Sequence, residues 1–486
     1  MSQSGKSLSK GGLYYLGYNI LKSIFPFISG IYVAQVLLPD GIGRVAAAQN
    51  LTQYFVILAF LGIPTYGLRE IAKCSDDQQK RSRVYSELMV INFFSTIFFL
   101  IIYCLLITIV QEYRENYLLY FITGISIVLN VLNNDWLFEA LEEYKFYSIN
   151  SLIFKLICFI LLLLFVHKPE DYIKYALIAV IGTCGNYIVN IVVSPRFVSF
   201  SLHNLDLKRH VKPILYLVTV NLAIELYSLT DITMMNFYCT KDSIAFYKYG
   251  SSIQKVLLQI VNTFTYVLIP RITYYYNNNR IDDYNNLLSK GLKLVLIVSL
   301  PMIIGIQFTA DFLVQSLYGP LYLNASRVLK GLSILLLINP IGYLLGSRVL
   351  LVTNHEKKMV YCVGVGALLN VIGNMLLIPR YSEYGATIAS VISEIVVMVV
   401  YLLTGKPFFK LVRISKTICK VVVSCSIMVL YLSLCVLYID EGWIRLIIQI
   451  IGSVILYFGI LICIKEEVTI QYARIIKHKL ISAHHS

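Results

Sequence analysis

The sequence predicts an all-α polytopic membrane protein. Three observations predict it. Hydrophobic residues make up 58% of the chain and charged residues only 14%, against about 25% charged in a typical soluble domain. Apolar stretches of roughly 20 residues, enough for one bilayer crossing, recur about fourteen times. Lysine and arginine concentrate in alternate connectors, the pattern of the positive-inside rule.

The apolar windows follow one another with short breaks: 11–37, 44–67, 87–110, 117–139, 148–166, 172–194, 214–237, 244–270, 291–317, 325–352, 359–379, 384–404, 417–439 and 443–464. Residues 1–10 are polar with two lysines, and the first window is too long for a cleavable signal segment. The longer polar connectors, 68–86, 195–213, 271–289 and 405–416, all fall on one side. The opposite side has only short turns such as LPDGIG, HKPED, YCTKDS, PRYSEYG and IDEGW. Too little chain remains there, or anywhere outside the windows, for a folded soluble domain.

The formal charge of +14 invites a nucleic-acid reading, but its distribution argues against one. With the N-terminus cytoplasmic, inner connectors carry about 26 Lys and Arg and outer ones about 8, so the excess reports topology and contact with anionic lipid heads. An even number of windows puts both termini in the cytoplasm. The ten cysteines lie mostly within apolar windows and form no CxxC, so neither a disulfide framework nor a zinc site is expected.

Polar residues inside the windows carry the functional signal. Between Ile244 and Pro270, Lys248, Ser252, Lys255, Gln259, Asn262 and Tyr266 advance three or four residues at a time and share one helix face. Lys255 lies about eleven residues into its window, roughly 16 Å along the helix axis. A lysine at that depth costs about 2.5–3.5 kcal/mol unless its face is wet. Lys248, nearer the outer interface, can snorkel; Lys255 cannot. In window 11–37, Lys22 sits at comparable depth with Asn19 on its face. Window 214–237 offers Glu225, and farther out Asp231. For Lys22 and Glu225 three readings stay open: an ion pair between lobes, a proton or Na⁺ coupling site at Glu225, or a static structural pair. Asp231 is read as a partner of Lys248 or as a coupling group. Asn130/Asn134, Asn186/Asn190 and Asn370/Asn374, each four apart, are expected to hydrogen-bond between helices. Arg327, Lys330 and Arg348 fall near window ends and are expected to reach lipid heads, and Asp135 and Glu139 to approach the cytoplasmic surface.

A weak internal duplication is readable. A long helix, a short turn (Leu38 to Gly43), a second helix and then Pro64 return from Ile214 as a helix, a turn (Tyr238 to Ser243), a helix and Pro270. Repeats around a central cavity are the usual plan of secondary transporters.

The run PDGIGRVAAAQN, then YFVILAFLGIPTYGLREIAK, resembles the first hairpin of Wzx-type oligosaccharide flippases of the multidrug/oligosaccharidyl-lipid/polysaccharide (MOP) superfamily. LTDITMMNFYCTKDSIAFYKYGSSIQKV, VLIPRI and the stretch from LLVTNHEKK to GATIASVISE extend the similarity to about residue 400. The resemblance implies two six-helix lobes in a MATE-like V, at 1–200 and 201–405, with two further helices and a basic tail at 406–486. It implies translocation of an undecaprenyl-diphosphate-linked oligosaccharide from the inner to the outer leaflet of a bacterial inner membrane, for O-antigen, capsule or exopolysaccharide assembly. Glycosyltransferases and a glycan polymerase would be its partners. On that reading Lys255, Lys22 and Lys248 meet the pyrophosphate, and Gln259, Asn262 and Asn19 the sugar. No cofactor is expected beyond a coupling H⁺ or Na⁺.

Lipid II flippases and drug/cation antiporters of the same superfamily are the near alternatives; an antiporter should favour a more acidic cavity. A membrane glycosyltransferase or polymerase is the distant one. The seven histidines lie in connectors or the tail, and HExxH, GxSxG and P-loop motifs are absent.

Overall fold

The computed structural model describes residues 4–266, 268–410, 414–472 and 474, with side chains for these except 4–24 and 216–228. The described residues are helical, with no strand among them. The main helices are α1 (Ser4–Phe60), α2 (Ile63–Lys73), α3 (Gln78–Ile109), α4 (Tyr117–Leu129), α5 (Tyr144–Phe165), α6 (Tyr172–Val193), α7 (Lys208–Tyr238) and α8 (Lys241–Tyr266). They continue with α9 (Ile281–Tyr318), α10 (Leu323–Leu332), α11 (Leu335–Gly342), α12 (Glu356–Gly405), α13 (Ile414–Tyr438) and α14 (Trp443–Cys463).

Eleven stretches among the described residues are long and apolar enough to cross a bilayer. Two of them each hold a pair of the expected windows, joined at a kink: Leu38 (φ 58°) divides α1 and Ser382 (φ 49°) divides α12. At the first kink, Pro39 bars its predecessor from helical geometry and starts the next helix with its fixed φ. The window 214–237 falls on α7, part of which lies outside the described side chains. Among the described residues the eleven stretches thus hold thirteen of the fourteen expected windows, and the whole is a multi-pass membrane protein.

The chain divides into two compact units, residues 1–245 and 246–486. In the first, the arm of α1 before Leu38 runs beside α5. Phe25 meets Phe159 edge-on at 6.3 Å, and the Tyr32 hydroxyl donates to the Val166 carbonyl at 2.8 Å. The arm after the kink packs on α3 and α4, where Thr52 donates to Thr123 (2.9 Å) and Tyr103 donates to the Tyr120 carbonyl (2.6 Å). Gly43 of the GIG turn lies against the backbone of Lys241; a Cβ there would come within 1.8 Å of the Lys241 carbonyl oxygen. Only glycine permits that approach.

In the second unit α9 is the central helix, packed by α10, α11, α13 and α14. The C-terminal pair is firmly docked on it: the Tyr457 hydroxyl donates to the Ile297 carbonyl (2.9 Å), and Val421, Met428 and Leu432 share its core. Pro340 in α11 has no N–H to give the Leu336 carbonyl four residues back. Ser299 supplies the missing donor at 2.7 Å. A π-helical turn, Tyr343–Ser347, follows at once.

Candidate translocation site

From Phe246 onward α8 belongs to the second unit, and its two faces differ. Tyr249, Ile253, Val261 and Thr265, four or eight residues apart, are buried. Tyr249 stacks on Tyr318 with centroids 4.2 Å apart and meets Tyr322 edge-on. The other face carries the six predicted polar residues. Lys255, Gln259 and Tyr266 are exposed; Lys248, Ser252 and Asn262 are half-buried. Ser252 turns its hydroxyl inward to the Lys248 carbonyl (2.7 Å), leaving the long side chains to define the face. Ile260 and Phe264 beside them are exposed as well, so one flank of the polar face is apolar.

In the first unit Asp231 is buried, 7% exposed, on α7. Around it Asn50 of α1 donates to the Leu229 carbonyl (3.1 Å) and to Thr233 (2.7 Å), and Thr233 donates to Tyr54 (3.0 Å). These bonds fix α7 against α1. Lys22, Asn19 and Glu225 lie outside the described side chains. Of the asparagine pairs, Asn186 and Asn190 of α6 bridge helices: both donate to Asp135 (3.2 and 2.5 Å), and Asn150 of α5 donates to Asn190 (2.8 Å). Asp135 is therefore engaged with α6.

Sequence reasoning missed a charge cluster near the start of α3. Glu87, 0% exposed, receives Arg83 (3.0 Å), Arg209 (2.5 Å), His210 (2.8 Å) and the Asp206 backbone N–H (2.7 Å). His210, assigned to a connector by sequence, begins α7 and is buried, with Tyr66 of α2 on its other nitrogen at 2.9 Å. The same connector is strapped along α3: Arg81 donates to the Phe197 carbonyl, and the Ser199 and Ser201 amides donate to Ser82 and Ser86 (2.9 and 3.0 Å). The only local signal was Arg83 four residues before Glu87; its other partners lie 119 to 123 residues away.

Two cations expected at lipid heads are placed otherwise. Lys330 pairs with Asp311 at 2.6 Å, which Ser326 also bonds. Arg348 is half-buried, its guanidinium 4.2 Å over the Tyr343 ring. Each finds a polar or aromatic partner because desolvating a bare charge costs more than pairing it.

A many-spanning helical fold with a polar helix face exposed inside its apolar length is the build of a membrane transporter. Comparison with known proteins agrees. The family model described as "Polysaccharide biosynthesis protein" matches residues 8–275, more than half of the chain, and the MatE model matches 217–376. A protein of Escherichia coli (strain K12) named "Putative O-antigen transporter" is 23% identical over 409 residues, covering 82% of this chain and 96% of its own length. Its namesake in Shigella dysenteriae is 22% identical over 386 residues, 77% and 94% of the two chains. Among solved structures, the lipid II flippase MurJ in an inward closed conformation has TM-score 0.73 at 15% identity, covering 93% of this chain and 99% of that one. An inward-facing multidrug resistance MATE family transporter has TM-score 0.64 at 14% identity, covering 83% and 98%. The chain belongs to the polysaccharide biosynthesis protein family, and is a Wzx-type flippase of the MOP superfamily.

Proposed function

We propose that this flippase carries undecaprenyl-diphosphate-linked glycan repeat units from the cytoplasmic to the outer leaflet of a bacterial inner membrane, by alternating access, with both of its termini in the cytoplasm. The observation that carries the reading is the polar face of α8, where Lys255 and Gln259 stay exposed along an otherwise apolar spanning helix. A cation so placed suits a diphosphate, and the amides beside it suit sugar hydroxyls. The apolar flank at Ile260 and Phe264 suits a lipid tail that never leaves the bilayer. Lys22, Lys248 and Asn19 are assigned to the same path, and Glu225 and Asp231 to proton or Na⁺ coupling or to structural pairing. The relatives named as O-antigen transporters support a glycan cargo.

Lipid II is the second reading, favoured by the likeness to MurJ over nearly its whole length. The test is glycan export in cells. Lys255→Ala at wild-type protein level should lower surface glycan at least tenfold; unchanged export would remove Lys255 from the path. Rescue of a strain lacking its lipid II flippase, with no effect on surface glycan, would select the second reading.

A further inference from the structure

The polar face of α8 does not stop at Tyr266. Its ring meets Tyr343 edge-on at 5.5 Å, and Tyr343 carries the Arg348 guanidinium on its face at 4.2 Å. Arg348 lies within a spanning stretch, and no carboxylate among the described residues pairs with it. Its Nε is buried and has no hydrogen-bond partner among the described residues. Stacking fixes the plane of a guanidinium but uses none of its five N–H donors. The edge that remains is a fork shaped for two oxygens of one phosphate.

A second pair of unmatched atoms lies one turn away. The side-chain oxygens of Asn262 and Asn339 are buried and accept no hydrogen bond among the described residues. Each stands four residues before one of the two touching tyrosines, on the same helix face. α8 runs in the same direction as α10 and the α11 that follows it, side by side with them. Near the start of α8, Gly250 lies against Ala325 and Val328 of α10, so closely that a Cβ would sit 2.7 Å from the Ala325 oxygen; farther along both, Tyr266 reaches Tyr343. Asn262 and Asn339 therefore stand at matching levels, about 6 Å outward of the tyrosine pair. Donors at one level and acceptors one turn away complement a phosphate followed by a hydroxyl-bearing ring. The π-helical turn Tyr343–Ser347 sits between Asn339 and Arg348, and such turns recur at functional sites.

We infer that Arg348 and Tyr343, with Tyr266, Asn262 and Asn339, form a phosphate-sugar subsite at the inner end of the α8 face. Arg348 holds the diphosphate of the lipid-linked cargo, and the two amide oxygens receive hydroxyls of the first sugar. The inference rests on the proposed function above and adds to it the residues that would meet cargo on entry.

Binding to the purified full chain in phosphatidylcholine nanodiscs tests it. The probes are geranylgeranyl diphosphate, the same diphosphate bearing one N-acetylhexosamine, and phosphatidylglycerol. Arg348→Gln should weaken both diphosphates at least tenfold, Arg348→Lys should recover part of that loss, and Tyr343→Leu should cost about threefold by freeing the guanidinium. Asn339→Ala should weaken only the sugar-bearing probe. Wild-type binding of both diphosphates by Arg348→Gln overturns the subsite and leaves the flippase reading intact. Loss confined to phosphatidylglycerol also overturns it, making Arg348 a phospholipid anchor. If wild-type protein binds neither diphosphate, the flippase reading fails and the subsite with it. Should Arg348→Gln not fold, Arg348→Lys and Tyr343→Leu decide, and two unaffected variants overturn the subsite.

Discussion

The cluster around Glu87 and the polar face of α8 handle charge in opposite ways. Glu87 is sealed from solvent and takes two arginines, a histidine and a backbone N–H, so every lone pair is used. Lys255 on α8 is exposed, and Arg348 beyond it sits on an aromatic ring with an Nε that no described residue engages. Charges that hold a fold are saturated from within the chain, because an unpaired buried group costs more than its pair returns. Arg348, by contrast, keeps a buried N–H donor with no partner among the described residues. Glu87 and Arg348 thus differ in how fully the described residues satisfy them, which hydropathy alone does not reveal.

Removing a saturated charge should break the fold first. Glu87→Ala leaves Arg209, Arg83 and His210 facing one another around a hole. With Arg83 and Arg209 half-exposed and able to regain water, it should cost about 1–3 kcal/mol, the loss of hydrogen bonds to a charged group. Thermal unfolding in detergent reads this as a clear fall in midpoint; an unchanged midpoint would mean the cluster is not structural. Changing an exposed charge on α8 should do the reverse. Lys255→Arg should keep more glycan export than Lys255→Gln, with both variants unfolding as wild type does. Equal export by the two would mean that charge at this position is not what the cargo reads. The smallest effect belongs to Lys330→Ala. Its pair with Asp311 is 26% and 47% exposed, so about 0–1 kcal/mol is expected, and export should not change.

Much of the fold was legible in the sequence because membrane helices announce themselves locally: a run of apolar residues must cross the bilayer with its own backbone bonds satisfied. The six-residue stripe of α8 was legible for the same reason, since its spacing needs no knowledge of neighbours. Lys255, Gln259 and Tyr266 are exposed as that spacing required. What the sequence hid depends on partners far along the chain. Glu87 looked like the first residue of an apolar window, and His210 like a connector residue, until α3 and the start of α7 were seen together. Arg348 lay near a window end, where lysines and arginines usually reach lipid heads. Only the ring of Tyr343, brought beneath it by the π-helical turn, shows that it is held inside. The two-window spans hid differently. At Leu38 and Ser382 the backbone leaves helical geometry, so each pair is two helices meeting at a turn that proline chemistry marked.

Thiol labelling along α8 tests the central claim most directly. Single cysteines replace Lys255, Gln259 and Asn262 on the polar face and Ile253, Val261 and Thr265 on the buried one, in a chain whose native cysteines are changed to serine or alanine. With a membrane-impermeant maleimide added to inverted vesicles, the first three should react and the last three should not. Equal protection of all six, with cargo present or absent, would contradict a hydrated polar face and the cargo path built on it.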